Sequence, residues 1–441
     1  MKCLLIAEAA NPEWVSVPLV GWSHARALAE VSDAHLVTQV RNRDAILRAG
    51  LTEGEDFTAI DSELVDAPLY RLASALRGGA GKGWTTTTAI SSLSYYYFEH
   101  LVWKKFGRRI RDGEFDVVHR ITPLSPTAPS LIAGKCKKAG VPFILGPLNG
   151  GVPWPKQFDS ARRHEKEWLS YVRSAYKLLP GYRSTRRNAS AIIIGSQDTW
   201  KQMPERYHDK CVYVPENAID PARFKIVRSR RAERPLRVIF VGRLTPYKGA
   251  DMLLEAAALL VKEGLVHVKF IGDGPQMSDL RSAVEREGLA DGVELSGWVE
   301  HSRVQEHLAE ADVFAFPSIR EFGGGVVLEA MATGLMPVVV NYGGPAELVS
   351  EKTGYLVDMA SRESIVSQFR SILGDLARDP SPIEQKAAAA SRRARDQFTW
   401  QAKAAQVLEV YEWVTGRRED KPWFGMPLPD SEEEHEGNGI V

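Results

Sequence analysis

Residues 320–340 read Arg-Glu-Phe-Gly-Gly-Gly-Val-Val-Leu-Glu-Ala-Met-Ala-Thr-Gly-Leu-Met-Pro-Val-Val-Val, and this stretch leaves few folds open to the chain. The apolar run Asp312–Pro317 before it has the length and composition of a buried strand. Val326–Thr333 is apolar except for Glu329, as in a mostly buried helix, and Gly334 is a natural stop for it. Pro337–Val340 then begins another buried strand. Strand, glycine turn, helix, strand is the repeat of a parallel α/β sheet. A helix that opens on glycines offers unpaired N–H groups and the positive end of its dipole to an anion, with no side chain in the way. Such a dipole contributes only about 0.3–2 kcal/mol, so the turn needs help to hold a phosphate. Glu321 and Glu329 flank it. With seven residues between them, they are too far apart for a close acid/base pair, and are better suited to accept hydrogen bonds from ligand hydroxyls.

Glu321-Phe-Gly-Gly-Gly-Val-Val-Leu-Glu329 resembles the E-x7-E motif of the retaining glycosyltransferases of family 4 (glycosyl transferases group 1), which have the GT-B fold. The family usually has Glu-Gly-Phe-Gly where this chain has Glu-Phe-Gly-Gly-Gly. The resemblance implies that Glu321 contacts the donor sugar and Glu329 the nucleotide ribose. It extends to other segments. Gly242-Arg-Leu-Thr-Pro-Tyr-Lys-Gly249 is similar to the family's G-R-x-x-x-x-K-G loop, where Arg243 and Lys248 reach one diphosphate, the first bidentately and the second as a point charge. Val293–Glu300 is similar to the segment whose backbone, near Val299, contacts the nucleobase. Asp116-Val-Val-His119 resembles the D-x-x-H strand end, which implies that His119 lies close to the donor sugar. Val214-Pro-Glu-Asn-Ala-Ile-Asp220 resembles the segment that ends the family's first domain, with Ala218 in place of the usual glycine. Phe398-Thr-Trp400 resembles the start of its closing helix.

Read in order, the chain opens with the strand Cys3–Ala7, a loop through Asn11, Pro12 and Pro18, Gly21, and a helix from Trp22 to Val31. The family often carries paired glycines in this first loop; here Gly21 stands alone, and it is assigned to the donor-contacting set. His24 is read as a packing or surface histidine rather than a base. Leu69–Gly83 is loop-like. Tyr95–Phe106 with its basic end is a domain helix or, alternatively, an interfacial membrane helix. Gly150 and Gly151 make a second backbone-exposing turn. Ser196 caps a helix. The fold class expected is α/β, GT-B: two Rossmann-like doubly wound domains facing across a cleft. Its parts are an acceptor-side domain (1–225), a linker (226–236), a nucleotide-sugar domain (237–396), a closing helix (397–416) that crosses back, and a disordered tail (417–441).

The whole chain carries 56 Lys/Arg and 56 Asp/Glu, yet residues 1–225 hold 31 of the bases and only 23 of the acids. Residues 104–187 hold 18 bases and 6 acids, which suggests an anionic partner such as a phospholipid surface or a phosphorylated acceptor. The basic, aromatic stretch 162–187 is expected to be helical. The three cysteines, Cys3, Cys136 and Cys211, form no disulfide or metal pattern and suit a reducing compartment. Met1–Ala10 is too short an apolar run for a signal peptide, and no stretch reaches the roughly 18 apolar residues of a membrane span. The location expected is cytoplasmic, with peripheral contact to the inner membrane face through 104–187.

The reading is therefore a retaining, metal-independent hexosyl- or glycosyltransferase of polysaccharide or glycolipid (cell-envelope) biosynthesis. His119, Glu321, Arg243 and Lys248 form the catalytic set. Arg243, Lys248, Val299, Gly323, Gly324, Gly325, Val326, Glu329 and Gly21 form the donor-binding set. No Asp-x-Asp metal site is evident, no cofactor is expected besides the nucleotide-diphosphate sugar, which is a substrate, and no nucleic acid is expected as a partner. The acceptor is a saccharide or a lipid-linked one. A nucleotide-sugar epimerase of the same fold is the alternative enzyme, needing no acceptor. A binding module without turnover is disfavoured by the convergence of cations, glycines and acids. A dehydrogenase is disfavoured by the missing G-x-G-x-x-G turn.

Overall fold

The computed structural model describes residues 1–65, 84–150, 152–158, 177, 179–228, 232 and 234–430, with side chains from residue 94 onward in the helix that opens at 84. The described residues divide into two compact units, one of 1–150, 177, 179–216 and 400–425, the other of 152–158, 217–228, 232, 234–399 and 426–430. The expected loop Leu69–Gly83 lies outside the described residues, as do 159–176 of the basic stretch, Gly151, and the last residues of the tail.

The first unit is built on a seven-stranded sheet of β1 (Lys2–Ala7), β2 (Asp33–Gln39), β3 (Phe57–Ile60), β4 (Val117–Thr122), β5 (Phe143–Leu148), β6 (Ala191–Ile194) and β7 (Cys211–Tyr213). Their order is β3-β2-β1-β4-β5-β6-β7, every pair parallel. Leu5 in β1 pairs with Leu36 on one side and His119 on the other, so the chain changes direction across the sheet between β1 and β4. Strands sandwiched on both faces read as continuous apolar runs, and Ile192, Ile193 and Ile194 are buried without alternation. One face is covered by the helix Trp84–Arg111, which buries Tyr95, Phe98, Val102, Phe106 and Ile110, a helical stripe, against Leu4, Ile6 and Val118. Tyr95, Phe98 and Phe106 therefore belong to the core, while Tyr96, Tyr97 and Trp103 are half-buried. Of the two readings of this helix, the domain helix holds, and its exposed side keeps Lys104, Lys105, Arg108 and Arg111. The opposite face takes the helices Val17–Val31 and Trp400–Val414; the latter buries Trp400, Lys403, Ala404, Val407, Val410 and Tyr411 in this unit. Ser196 caps its helix, its Oγ accepting from the amide of Thr199 at 3.2 Å. The three cysteines are buried, free thiols, which burial pushes up to about 11 at Cys3 and about 12 at Cys136 and Cys211.

The second unit repeats the plan with six strands, β8 (Leu236–Val241), β9 (Val266–Ile271), β10 (Val293–Gly297), β11 (Val313–Phe316), β12 (Met336–Val340) and β13 (Tyr355–Val357), in the order β10-β9-β8-β11-β12-β13. All pairs are parallel. Here the direction changes between β8 and β11. In such sheets the loops leaving the two central strands part at this switch point and open a crevice at the carboxyl edge. Both units are thus Rossmann-like parallel α/β sheets, the fold class read from the sequence.

One expectation fails at the end of the chain. Residues 417–430 are ordered rather than a disordered tail: Leu428 is buried, and Arg393 donates to Leu428 O (2.7 Å), Pro429 O (2.9 Å) and Asp430 Oδ1 (2.9 Å). Polar composition suggested disorder, but a buried guanidinium needs acceptors, and the carbonyls of this segment supply them.

Candidate active site

At the switch point of the second unit, the loop leaving β8 is pressed backbone to backbone onto its neighbours. Gly272 has φ +133°, and a Cβ there would stand 2.0 Å from Gly242 O; one on Gly274 would stand 2.4 Å from Leu244 O. The loop turns through the 3-10 helix Pro246–Lys248 and ends at Gly249, with φ +77°, where a Cβ would meet Pro317 O at 2.4 Å. Only glycine fits there, which explains the Lys-Gly pair in the sequence. This packing presents the two cations. Arg243 is exposed, and its guanidinium has no hydrogen bond or ion pair among the described residues. Lys248 is half-buried, lies 5.2 Å from the centre of the Phe316 ring, and forms an ion pair with Glu321.

The loop leaving β11 runs beside it. Ile319 N and Ser318 Oγ both donate to Tyr247 O, at 2.9 and 3.2 Å, and so tie the two loops together. Beyond Glu321 and Phe322 the chain enters the glycines. Gly324, in the left-handed region at φ +66°, precedes the helix Gly325–Ala332, whose amino end no side chain caps. Its first amides, on Gly325 and Val326, face outward from a backbone bare of Cβ atoms up to Val326. A third loop, after β12, braces this turn. Gly344 N donates to Glu321 O at 3.1 Å, and Cβ atoms on Gly343 or Gly344 would come within 2.3 Å of Glu321 O or Phe322 O. The amide-rich turn is therefore held by backbone contacts, leaving the Glu321 carboxylate to Lys248.

Glu329 lies on the same helix, half-buried, and its Oε1 takes a hydrogen bond from His301 Nε2 at 2.8 Å. The Glu329 carboxylate raises the affinity of His301 for a proton, against the pull of burial and of the nearby Arg223. His301 begins the helix His301–Ala309, two residues after Val299, which is half-buried in the loop leaving β10. This bond joins the loop of Val299 to the helix of Glu329. His301 escaped the sequence reading because no local pattern marks it; its position just past the Trp298-Val299 segment was the only signal.

The second unit thus brings together Arg243, Lys248, Glu321, Gly323, Gly324, Gly325, Val326 and Glu329 at one edge of its sheet, with Val299 linked through His301. Opposed cations and acids around uncapped amides can take a diphosphate flanked by hydroxyl-bearing groups.

The first unit corrects two assignments. His119 is not at the mouth of its sheet. Strand β4 runs three residues further, to Thr122, and the ring is fully buried. Its Nε2–H donates to Gly146 O at 2.6 Å, while Nδ1 accepts from Tyr411 Oη at 2.6 Å. Both nitrogens are spent, and burial holds the imidazole down at about 4, so the ring is neutral and closed to a ligand. Gly21 is not a loop residue either. It lies inside the helix Val17–Val31, where a Cβ would stand 2.1 Å from Ala9 O, so the glycine lets the helix touch the loop after β1. His24 is wholly buried, 6.0 Å from the ring of His119 and 6.1 Å from that of Trp400, as a packing residue would be. On its surface this unit carries two adjoining grooves of about 470 and 460 Å³. Lys135, Lys137, Lys138 and Arg187 line the first; Lys177, Arg183 and Arg187 line the second. Among the described residues, no group of three or more His, Cys, Asp or Glu is placed to hold a metal, and no helix is long and apolar enough to cross a membrane.

Residues 222–395, which lie in the second unit, match the family described as Glycosyl transferases group 1. The amylovoran biosynthesis glycosyltransferase AmsK of Erwinia amylovora is 27% identical over 209 residues, 46% of this chain and 50% of that protein. The chain spans about half the length of the curated relatives it matches. Among solved structures, a glycosyltransferase from Rickettsia africae superposes with a TM-score of 0.60 at 14% identity, covering 95% of this chain and 99% of that one. Anabaena HepE in complex with UDP gives 0.58 at 16% identity, covering 93% and 99%. These likenesses agree with the GT-B fold class.

Proposed function

We propose that this chain is a glycosyltransferase that moves a sugar from a nucleotide-diphosphate donor to an acceptor hydroxyl, with retention of configuration, in polysaccharide or glycolipid biosynthesis. The observation that carries the reading is the junction of Arg243 and the Lys248–Glu321 pair with the uncapped glycine turn at the switch point of the second unit. The family match over 222–395 and the UDP bound by HepE support a nucleotide donor; the amylovoran assignment of AmsK supports a polysaccharide product.

In this reading the bond from the sugar's anomeric carbon to the diphosphate breaks as the bond to the acceptor oxygen forms, and negative charge grows on the leaving diphosphate. Lys248 spends one of its three N–H donors on Glu321 and turns the others to phosphate. Arg243 adds a planar fork suited to phosphate oxygens. The amides of Gly325 and Val326 complete the cradle, so the protein's own donors stabilise the charge without a metal. Glu321 receives sugar hydroxyls and Glu329 the ribose, while Val299 borders the base. The acceptor falls to the first unit, whose cation-lined grooves suit an anionic or lipid-linked acceptor and contact with an anionic membrane face.

A thermal-shift screen of UDP, GDP, ADP and their sugars tests the donor. One nucleotide class is expected to raise the melting temperature, with turnover appearing once an acceptor is added. No shift from any of them would overturn the reading. Binding to anionic but not neutral vesicles at low salt tests the surface contact, and equal binding to both would remove it.

A further inference from the structure

Three side chains from separate segments meet in the second unit. Arg223 Nη2 lies 3.0 Å from His301 Nδ1, and His301 Nε2 lies 2.8 Å from Glu329 Oε1. The chemistry of the three groups fixes where the hydrogens sit. A guanidinium nitrogen has only donors, so Nδ1 must accept from Arg223. In the neutral ring the other nitrogen then carries the hydrogen, so Nε2–H donates to the carboxylate. The opposite tautomer would set a donor against a donor at Arg223 and a lone pair against an anion at Glu329. Phe224, next to Arg223, packs its ring edge-on at 6.0 Å from the His301 ring and restricts its rotation. Glu329 Oε2 has no partner among the described residues, so one oxygen is spent and the other is presented.

Resting on the donor reading above, we infer that His301 is the positioning residue for nucleotide recognition: Arg223 locks its tautomer, and its Nε2–H holds Glu329 so that Oε2 meets a ribose hydroxyl. His301 does not touch the reacting atoms. It acts through Glu329, and its effect is selectivity for ribose over deoxyribose. A flexible glutamate would have to be ordered on binding, whereas one already held by an imidazole is not.

Calorimetric titration of UDP, GDP and ADP, each beside its 2′-deoxy and 3′-deoxy form, into the wild-type protein and into His301→Ala, His301→Gln and His301→Asn tests this. The Gln amide nitrogen stands where Nε2 does, and that of Asn stands where Nδ1 does, so only Gln keeps the donor to Glu329. The wild type is expected to bind one diphosphate about tenfold more tightly than one of its deoxy forms, the scale of one hydrogen bond to a charged group. His301→Ala and His301→Asn are expected to lower that ratio to about two, and His301→Gln to keep most of it. The ratio is read within each variant, so a general loss of stability does not imitate the effect. Wild-type ribose selectivity in the Ala and Asn variants would overturn the role of His301 while leaving the donor reading intact. A loss in Gln equal to that in Ala would do the same. Failure of the wild type to bind any of the three diphosphates would overturn the donor reading itself, and this inference with it.

Discussion

The two units share one plan, a parallel sheet whose order reverses beside its first strand, yet their ionisable side chains are treated in opposite ways. In the first unit the histidines His24 and His119 and the lysine Lys403, on the sheet face under the helices Val17–Val31 and Trp400–Val414, are buried. Desolvation holds His119 down at about 4 and His24 well below its ordinary value, and Lys403, whose charge Glu216 favours, is pulled down by burial to about 7. In the second unit the corresponding edge keeps Arg243 in water and leaves Lys248, Glu321, His301 and Glu329 half-exposed in opposite-charge or hydrogen-bonded pairs. Burial strips charge and turns a titratable group into packing; partial exposure beside an opposite charge preserves it for a ligand. A histidine at a strand and a histidine at a helix start look equally promising in a sequence, and of the two only the second keeps part of its ring exposed, beside a carboxylate.

The contrast is broken most directly at the cations. Arg243→Ala and Lys248→Ala are each expected to lower turnover by about 10²–10³, the effect of losing one preorganised donor to a developing anion, with unchanged circular dichroism. Near-wild-type rates in both would show that the exposed edge is not the phosphate cradle.

The buried side is probed by acid. The folded-state value of His119 lies below its ordinary 6.5, so between about pH 6.5 and 4 the unfolded chain binds the extra proton. Stability contributed by the neutral ring is complete above pH 6.5 and falls as pH drops toward 4, by up to roughly 3 kcal/mol. Urea unfolding of the first unit across this range is expected to show the slope, and His119→Phe to flatten it. An unchanged slope in the variant would assign the acid sensitivity elsewhere.

Lys403 sharpens the same point with the opposite substitution. Its folded-state value lies below 10.5, so the unfolded chain again holds the proton more readily, and the folded state loses stability as pH falls from 10.5 to about 7. Lys403→Met is expected to raise stability at pH 7 by about 1–3 kcal/mol, as when a poorly compensated buried charge gives way to an apolar chain. Val299→Ala should do least. A residue that offers its backbone to the base is expected to change nucleotide affinity by less than about threefold on losing its side chain, within the range of an ordinary surface change.

Much of this organisation was legible in the sequence. Buried strands, glycine turns and helix starts are local patterns, and Arg243, Lys248 and Glu321 stand in loops whose glycines announce close backbone approach. What was not legible depends on partners distant in the chain. His119 matched a strand-end motif, but the tyrosine that closes it, Tyr411, lies 292 residues away. Gly21 looked like a loop glycine because nothing local shows that Ala9 O will press on it. The pairing of His301 with Glu329 needs two segments 28 residues apart to fold onto one edge. Periodicity reports which face of an element is apolar, and it is silent on which polar atoms will meet across the fold.

The central claim is that the exposed edge of the second unit, and not the histidine of the first, holds the donor's diphosphate. Calorimetric titration of UDP, GDP and ADP into the wild type, Lys248→Ala, Arg243→Ala and His119→Phe tests it in one experiment. The account predicts that one nucleotide binds the wild type, that it binds the two cation variants at least about tenfold more weakly, and that it binds His119→Phe as it binds the wild type. Unchanged affinity in Lys248→Ala and Arg243→Ala, with binding lost in His119→Phe, would contradict it.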